Sequence, residues 1–350
     1  MTPALTTDDP PLTADDRPPT TLRAVPTDEL ERLTAHLAGE PSDGVWRDWR
    51  IARVGGGSNN LLYRAAGHGH DLAVKFTLRD SRDRAGREYA ALAALRAVGP
   101  DLAPIPLYLD QTSFAQPVIV MTWLDGPVSE TPPTTDREWN ALLAHLLAVH
   151  TVTPGGASED IPPAVMTMLD VPDGLRRIEA QVDRLPPGEH LLPVDALVEA
   201  ITVTDWPEWP PAQVSLCRSD PNLSNFVRRS GRWASVDWEN AGWGDPAFEI
   251  ADLLCHPTTL TVPPERAAWV VDRYATLRGD SALPQRVAVY QRLLLVWWVA
   301  RLARFLYEVP RGLDPRLVDR PANWQAEAER KYQLYVDRTR SWTRVRRRVR

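Results

Sequence analysis

Residues 220–239 read Asp220-Pro-Asn-Leu-Ser-Asn225-Phe-Val-Arg-Arg-Ser-Gly-Arg-Trp-Ala-Ser-Val-Asp237-Trp-Glu239. Strand-forming residues on both sides of Ser230-Gly231 predict a β-hairpin with a two-residue turn. In that register, position 229 lies opposite 232 and position 225 lies opposite 236. Asn225 and Asp237 therefore meet at the open end of the hairpin, and Asp220 lies just upstream on a loop.

The open end of this hairpin has the residue types of a magnesium–nucleotide site. Asn225 and Asp237 carry the hard oxygen ligands that Mg²⁺ prefers, and the carboxylate of Asp220 remains free beside them. An Asp and an Asn separated by four residues, followed by an Asp on a strand, is the order of base and metal ligands in kinases. We therefore expect Asp220 to be catalytic and Asn225 and Asp237 to bind metal. The alternative is an ordinary turn, because Asp, Asn and Pro are common in turns.

A lysine upstream has the properties of a phosphate-binding residue. Along the predicted strand 72–78, Ala73, Lys75 and Thr77 share one face. The small side chain of Ala73 leaves room for a flat base, so the ammonium of Lys75 would reach its phosphates. Glu88 falls in the apolar stripe of the next helix, where an unpaired carboxylate is costly, and Lys75 is its natural partner. A purely structural ion pair is the alternative.

The stretch Gly55-Gly-Gly-Ser-Asn-Asn60 lies between two strand-like segments and predicts a hairpin tip. A Rossmann loop or a Walker A loop would need a helix to follow. Glycines let backbone amides fold over a phosphate, which makes this stretch a candidate part of the nucleotide site. The candidate residues are Gly56, Gly57, Ser58 and Asn59. A flexible hairpin without a ligand is the alternative.

Several polar and aromatic residues near these segments allow two interpretations. Glu239 is either a second metal contact or a structural residue. Asp245 precedes a helix and is either its N-cap or a site residue. Trp243, Trp297 and Trp298 either line a substrate pocket or pack in the core.

The composition is typical of a folded protein, with 350 residues, 43% of them apolar and 25% charged. Cys217 and Cys255 have neither the spacing of a metal site nor that of a disulfide framework, so we expect a reducing cytoplasm. The first 25 residues contain no apolar run, which predicts no secretory signal. The longest apolar stretch, 293–300, is too short to span a bilayer, so we expect no membrane partner.

Charge is unevenly distributed along the chain. The net charge is −6, yet residues 338–350 contain seven arginines and no acid, so the remainder is strongly acidic. An acidic body favours a cationic substrate through long-range steering, although many enzymes with neutral substrates are also acidic. We expect the arginine-rich end to be a solvated, disordered tail. Contact with nucleic acid, an acidic partner or a lipid surface is the less favoured alternative.

The order of predicted elements indicates an α+β fold with two lobes, a small β-rich N-lobe and a larger helical C-lobe. We expect a disordered segment over 1–25, the N-lobe over 26–121, the C-lobe over 122–337 and the arginine-rich tail over 338–350. The predicted helices of the C-lobe are 136–150, 165–184, 196–201, 264–277, 283–307 and 323–336.

Taken together, these segments resemble the aminoglycoside phosphotransferase and choline kinase family, which has the protein-kinase fold. The matching motifs are GGGSNNLLYR (55–64), AVKF (73–76), REY (87–89), MTWLDG (121–126), DPNLSN (220–225), VDWE (236–239) and GDPAFEIAD (244–252). Their joint order is specific for the fold and not for the substrate.

The resemblance implies transfer of the γ-phosphoryl group of ATP, with Mg²⁺, onto a hydroxyl of a small molecule such as an aminoglycoside, choline or another metabolite. It implies that Lys75 holds the α- and β-phosphates, that Glu88 orients Lys75, and that Asp220 orients or deprotonates the acceptor. GTP is the alternative donor. The residues that would contact the adenine are Met121, Thr122, Trp123 and Leu124.

The sequence departs from the family where a His-Gly-Asp run is usual, because it reads Arg218-Ser219-Asp220. The family His mainly supports the loop, so we expect activity to survive, although an altered or lost reaction is also compatible with the change. Two alternative functions follow. One is a kinase of a Ser/Thr-containing peptide in natural-product biosynthesis, with the charged termini docking the peptide or a partner enzyme. The other is an inactive nucleotide-binding partner protein.

Overall fold

The computed structural model describes residues 24–55, 60–99, 101–156, 160–186, 188, 192–229, 231–317 and 319–347, without the side chains of 192 and 341–347. These residues form a small lobe built on one antiparallel sheet and a larger lobe that is mostly helical. The predicted two-lobed α+β fold is confirmed.

The sheet of the small lobe has six strands and two flanking helices. The strands are β1 (Gly44–Trp46), β2 (Trp49–Val54), β3 (Asn60–Gly67), β4 (His70–Thr77), β5 (Pro106–Asp110) and β6 (Val118–Thr122), and the helices are α1 (Thr27–Leu37) and α2 (Arg84–Val98). Neighbouring strands pair in the order β1-β2-β3-β4-β6-β5, always antiparallel.

Both faces of strand β4 are covered, which determines the environment of Lys75. On one face, Val74 packs in a cluster with Leu33 of α1. On the other face, Ala73 packs in a second cluster with Leu92 of α2. Because side chains alternate between the faces of a strand, Lys75 lies on the same face as Ala73 and is itself buried.

The large lobe is organised around one long central helix. Its helices are α3 (Asp136–Val149), α4 (Val171–Val182), α5 (Leu192–Thr202), α6 (Pro246–Cys255), α7 (Pro264–Arg278), α8 (Leu283–Glu308) and α9 (Trp324–Arg347), and its strands are β7 (Ser215–Cys217), β8 (Phe226–Arg229), β9 (Arg232–Ser235) and β10 (Gly242–Gly244). Helix α8 contacts α4, α5, α6, α7 and α9, so it forms the core of this lobe. None of the helices in the described part of the chain has the length and apolar character needed to cross a membrane.

The hairpin on which the sequence analysis depends has the predicted register. Arg229 lies opposite Arg232, and Phe226 lies opposite Ser235. One step further out, the Val236 amide donates to the Asn225 carbonyl over 2.9 Å. Asn225 therefore lies at the open end of the hairpin, next to the segment that carries Asp237.

Three helices differ from their predicted extents, and one of them is α5, which begins at Leu192, four residues before its predicted start at 196. The helix expected over 165–184 is limited to α4, because the Asp170 side chain accepts a hydrogen bond from the Asp173 amide and Pro172 lies in the first turn. The last helix continues to Arg347, so residues 338–347 of the arginine-rich end extend α9 instead of forming the predicted disordered tail; residues 348–350 lie outside the described residues. The three-residue strands β7 and β10 are not predicted, since they are too short to show a period of two.

Asp245 joins helix α6 to the central helix α8. Its Oδ1 accepts a hydrogen bond from the Ala247 amide at 2.9 Å, which makes Asp245 the N-cap of α6. Its Oδ2 accepts hydrogen bonds from Arg286 Nε at 2.9 Å and from the Tyr290 hydroxyl at 3.0 Å. The side chain is fully buried. Of the two interpretations of Asp245, the structure favours the N-cap.

We expect the substitution Asp245→Ala to lower the free energy of unfolding by about 3 kcal/mol or more, because it leaves the buried Arg286 guanidinium without one of its carboxylates. Urea denaturation measures this change. The control is Glu327→Ala, which removes an exposed ion pair with Arg330 and should cost less than about 1 kcal/mol. Equal decreases in the free energy of unfolding of the two variants would contradict the structural role assigned to Asp245.

Candidate active site

The first component of the site is the ion pair between Lys75 on β4 and Glu88 on α2. Lys75 Nζ lies 2.7 Å from Glu88 Oε2, and both side chains are buried. The other carboxylate oxygen, Glu88 Oε1, accepts a hydrogen bond from the Trp238 amide at 3.1 Å. The structure therefore contains the predicted pair, and Glu88 also connects α2 to the segment after β9.

Lys75 extends this pair across the two lobes. Its Nζ lies 2.5 Å from Asp237 Oδ1 and 3.5 Å from Glu239 Oε2. Burial by itself lowers the pKa of Lys75, but the carboxylates of Asp237, Glu88 and Glu239 outweigh burial and raise this pKa above its ordinary value. Lys75 is therefore an ammonium ion held between the small lobe and the end of the hairpin.

Asp220, Asn225 and Asp237 converge at the open end of the hairpin. Asp220 Oδ2 accepts a hydrogen bond from Asn225 Nδ2 at 3.1 Å, and Asp220 Oδ1 accepts one from the Asn222 amide at 3.1 Å. Asp237 has φ of 62°, in the left-handed region that Asp adopts more readily than most residues. Burial raises the pKa of Asp237, but the contact with Lys75 outweighs it and lowers this pKa below its ordinary value.

The oxygens at this end of the hairpin suit a hard divalent cation. Asn225 keeps Oδ1 for a ligand because its amide nitrogen donates to Asp220, and Asp237 keeps Oδ2 because Oδ1 contacts Lys75. Neither oxygen accepts a hydrogen bond within the part of the chain that the structure describes. Amide and carboxylate oxygens are typical Mg²⁺ ligands, so the residues present fit the predicted metal.

The loop before Asp220 is held in place by the buried Glu249 of helix α6. Glu249 Oε1 accepts hydrogen bonds from the amides of Arg218 at 2.9 Å and Ser219 at 3.2 Å. Glu249 Oε2 lies 2.6 Å from His150 Nε2. Burial raises the pKa of Glu249, but the hydrogen bond from His150 helps to lower this pKa below its ordinary value. The sequence analysis missed this contact between residues far apart in the chain.

Ser219 occupies the position at which the family usually has glycine. Its φ of 61° lies in the left-handed region, which costs a residue with a side chain about 1–2 kcal/mol. The Ser219 hydroxyl donates to the Met166 carbonyl at 2.5 Å and accepts from the Met166 amide at 2.9 Å. These two hydrogen bonds offset the strain and connect the Asp220 loop to the segment before α4.

Arg218 occupies the position of the family His and is almost completely buried. Its guanidinium lies 4.6 Å from the centre of the Phe226 ring. None of its three guanidinium nitrogens has a hydrogen-bond acceptor within the described residues. Burial raises the pKa of Asp220, and the charge of Arg218 is the largest opposing influence. The substitution therefore places a positive charge beside the candidate catalytic carboxylate.

Glu239 is bound within the protein on both of its oxygens. Its Oε2 accepts a hydrogen bond from Asn60 Nδ2 at 2.8 Å, and its Oε1 pairs with the Arg84 guanidinium. These contacts favour the structural interpretation over a second metal contact. Sequence reasoning missed Arg84, which lies at the start of helix α2 and has no motif of its own.

The predicted adenine contacts lie at the end of strand β6. Ala73 is opposite Met121 in the sheet, so both side chains lie on the face that carries Lys75. The amides of Thr122 and Trp123 donate to carbonyls of neighbouring segments at 2.9 and 2.8 Å. The Leu124 amide makes no hydrogen bond within the described chain. The amides of Thr122 and Trp123 are therefore occupied. We keep the prediction of a backbone donor to the base for the amide of Leu124.

The four predicted phosphate-binding residues at the glycine-rich tip lie outside the described residues; they are Gly56, Gly57, Ser58 and Asn59. The strands on either side pair as a hairpin, with Val54 of β2 opposite Leu62 of β3. The two strands predicted on either side of the tip are therefore present.

A cavity of about 410 Å³ lies beside Asp220. Its walls come from the Asp220 loop and from helices α4, α6 and α8. Trp297 and Trp298 of α8 line it, whereas Trp243 packs against an apolar cluster of the core. The nucleotide-site candidates Lys75 and Asp237 are not among its lining residues. The cavity therefore meets the candidate metal site at Asp220.

Asp252 lines this cavity from helix α6 and has a strongly perturbed pKa. Burial raises the pKa of Asp252 to about 8, with further contributions from the carboxylates of Asp220 and Glu249. An unfolded aspartate has a pKa of about 3.9. Between these two values the folded state binds a proton that the unfolded state does not, so the free energy of unfolding falls as pH rises through this window.

We expect the substitution Asp252→Asn to remove this pH-dependent loss, because an amide does not ionise. The variant should gain stability relative to the wild type as pH rises from about 4 to about 8, and the difference should level off above that window. Urea denaturation of both proteins at several pH values measures it. A difference that stays constant across the window would contradict the raised pKa.

The fold of the chain is shared with several phosphotransferases of known structure. A choline/ethanolamine kinase family protein from Mesorhizobium loti is 19% identical, with 90% of this chain and 94% of that chain covered and a TM-score of 0.56. APH(2")-IIia, in complex with GDP and kanamycin, is 16% identical, with coverages of 87% and 98% and a TM-score of 0.59. Spectinomycin phosphotransferase APH(9)-Ia, in complex with ADP and spectinomycin, is 12% identical, with coverages of 88% and 96% and a TM-score of 0.58.

No curated protein matches the chain by sequence. The model of one protein family, described as the phosphotransferase enzyme family, matches residues 50–290, well over half of the chain. This range includes both components of the site, from Lys75 to the hairpin and helix α6. The chain therefore belongs to the phosphotransferase enzyme family.

Proposed function

We propose that this phosphotransferase moves the γ-phosphoryl group of ATP onto a hydroxyl of a small molecule and depends on Mg²⁺. The observation that carries the proposal is the contact of Lys75 with both Glu88 and Asp237, at the same hairpin end where Asn225 donates to Asp220. Family membership supports phosphoryl transfer, and this geometry supplies named residues for it.

Phosphoryl transfer passes through a loose transition state, so positioning and charge stabilisation are the main tasks of the protein. The Lys75 ammonium would bind the α- and β-phosphates, with Glu88 fixing its direction. Asp220 would accept a hydrogen bond from the acceptor hydroxyl and take its proton as the new bond forms. Asn225 and Asp237 would hold Mg²⁺, which would neutralise phosphate charge as a Lewis acid.

The free amide of Leu124 supports binding of a base at the end of β6 without choosing between adenine and guanine. The amide is a donor, and both adenine N1 and guanine O6 are acceptors. GTP remains the alternative donor, and the solved complexes with GDP and with ADP concern other proteins of the fold. Both cysteines are unpaired and buried, which is compatible with the proposed cytoplasmic location.

The cavity supports a small-molecule acceptor over the two alternative functions. A volume of about 410 Å³ is in the range of small-molecule sites. The oxygens that Asn225 and Asp237 keep for a ligand beside the Lys75–Glu88 pair favour an active enzyme over an inactive partner protein.

We expect Asp220→Asn to lower turnover by about 10²–10⁴-fold, because it removes the general base while keeping the size of the side chain. Release of ADP, measured with Mg²⁺–ATP over a panel of hydroxylated metabolites and antibiotics, tests this expectation. The affinity for Mg²⁺–ADP should stay within a fewfold of the wild type. Turnover equal to that of the wild type would rule out Asp220 as the base.

A further inference from the structure

Arginines outnumber carboxylates among the residues that line the cavity beside Asp220. The charged residues that line it are Arg82, Arg177, Arg184, Arg301, Arg304, Asp220 and Asp252. Asp252 is itself partly neutral near pH 7, since burial raises its pKa to about 8. Positive charge therefore exceeds negative charge at the lining, opposite to the net charge of the whole chain.

Arg301 and Arg304 on α8 and the neighbouring Arg184 have fewer carboxylate partners than charges to pair. Arg184 and Arg304 both pair with Glu308, at 2.7 and 3.1 Å. Arg301 has no carboxylate within ion-pair distance among the described residues. The nearby Asp314 is already paired with two other arginines, Arg316 and Arg320. Arg184 and Arg304 thus share one carboxylate and Arg301 pairs with none in the described chain, whereas Arg177, across the cavity on α4, has its own partner in Asp173.

The environment of Arg301 shows the consequence of this imbalance. Burial lowers the pKa of Arg301 to about 10, and the positive charge of Arg304 contributes to the shift. Two N–H groups of the lining residues, Arg301 Nη1 and Trp298 Nε1, have no hydrogen-bond acceptor in the described chain. Unpaired buried donors are costly, and a ligand rich in acceptor oxygens would supply both acceptors and negative charge.

We infer that the hydroxyl acceptor is an anionic small molecule whose carboxylate or phosphate group binds at Arg301 and Arg304 while its hydroxyl faces Asp220. This inference rests on the proposed function, because it assigns the substrate class of the same site. It replaces the cationic acceptor that the acidic sequence favoured, since local charge at the binding site determines recognition and the net charge acts only at long range.

The experiment compares matched ligands in calorimetric titrations of the full chain with Mg²⁺–ADP present. The pairs are D-gluconate with D-glucose, for a carboxylate, and glycerol 3-phosphate with glycerol, for a phosphate; choline and kanamycin are the cationic probes. We expect at least one anion to bind about tenfold or more tightly than its neutral partner and than either cation. Tighter binding of choline or kanamycin, or no preference within either pair, would overturn the inference.

Variants of one arginine locate the anion. Arg301→Gln should weaken binding of the favoured anion about ten- to a hundredfold, and Arg301→Lys should retain part of it because the charge remains. Arg330→Gln, which changes an exposed arginine on α9, is the matched control and should bind like the wild type. Unchanged anion binding in Arg301→Gln would contradict the inference, as would weaker Mg²⁺–ADP binding with the anion unaffected.

Turnover separates this inference from the proposed function. If the anion binds through Arg301 but Mg²⁺–ATP yields no phosphorylated product from any ligand of the panel, the phosphotransfer proposal fails while the anion site stands. If a cationic or neutral ligand is phosphorylated faster than every anion, phosphotransfer stands and the anionic acceptor is wrong.

Discussion

The structure depends on one buried cation, the ammonium of Lys75. It lies between Glu88 on α2 and Asp237 after β9, so three elements of two lobes must meet around it. A buried charge without a partner is very costly, and breaking a buried pair commonly costs several kcal/mol. The positions of α2, the central strand β4 and the hairpin are therefore coupled. The same arrangement leaves Asp237 Oδ2 and the side-chain oxygen Oδ1 of Asn225 for a divalent cation.

Helix α6 connects this charged centre to the cavity. Asp245 caps the helix and binds it to α8, and Glu249, one turn later, holds the amides before Asp220. Asp252 follows near the end of the same helix and borders the cavity. Helix α6 thus holds the loop of the candidate base Asp220, borders the cavity through Asp252 and packs on the central helix α8. Packing of α6 on α8 is consequently a condition for the geometry around Asp220.

Local patterns made much of the fold and of the candidate site predictable. The hairpin register follows from the Ser230-Gly231 turn and the strand-forming residues on both sides of it. The Lys75–Glu88 pair follows from the face of strand β4 that carries Lys75 and the apolar face of α2 that carries Glu88. The contact of His150 with Glu249 joins residues 99 positions apart, and no local pattern indicates it. The arginines of the cavity come from the segment before α2, from α4 and the turn after it, and from α8, which meet only in the folded protein. For this reason the net charge of the sequence favoured the prediction of a cationic acceptor, whereas the charges that line the cavity support an anionic one.

The central claim is that Asn225 and Asp237 bind a metal together with a nucleotide beside Lys75. Electron paramagnetic resonance of Mn²⁺, a substitute for Mg²⁺, measures this binding directly in titrations of the full chain with and without ADP. The expected result is one Mn²⁺ per chain, bound more tightly with ADP, and about tenfold or more weakly in the variant Asp237→Asn. Mn²⁺ binding that is independent of ADP and unchanged by Asp237→Asn would contradict the claim.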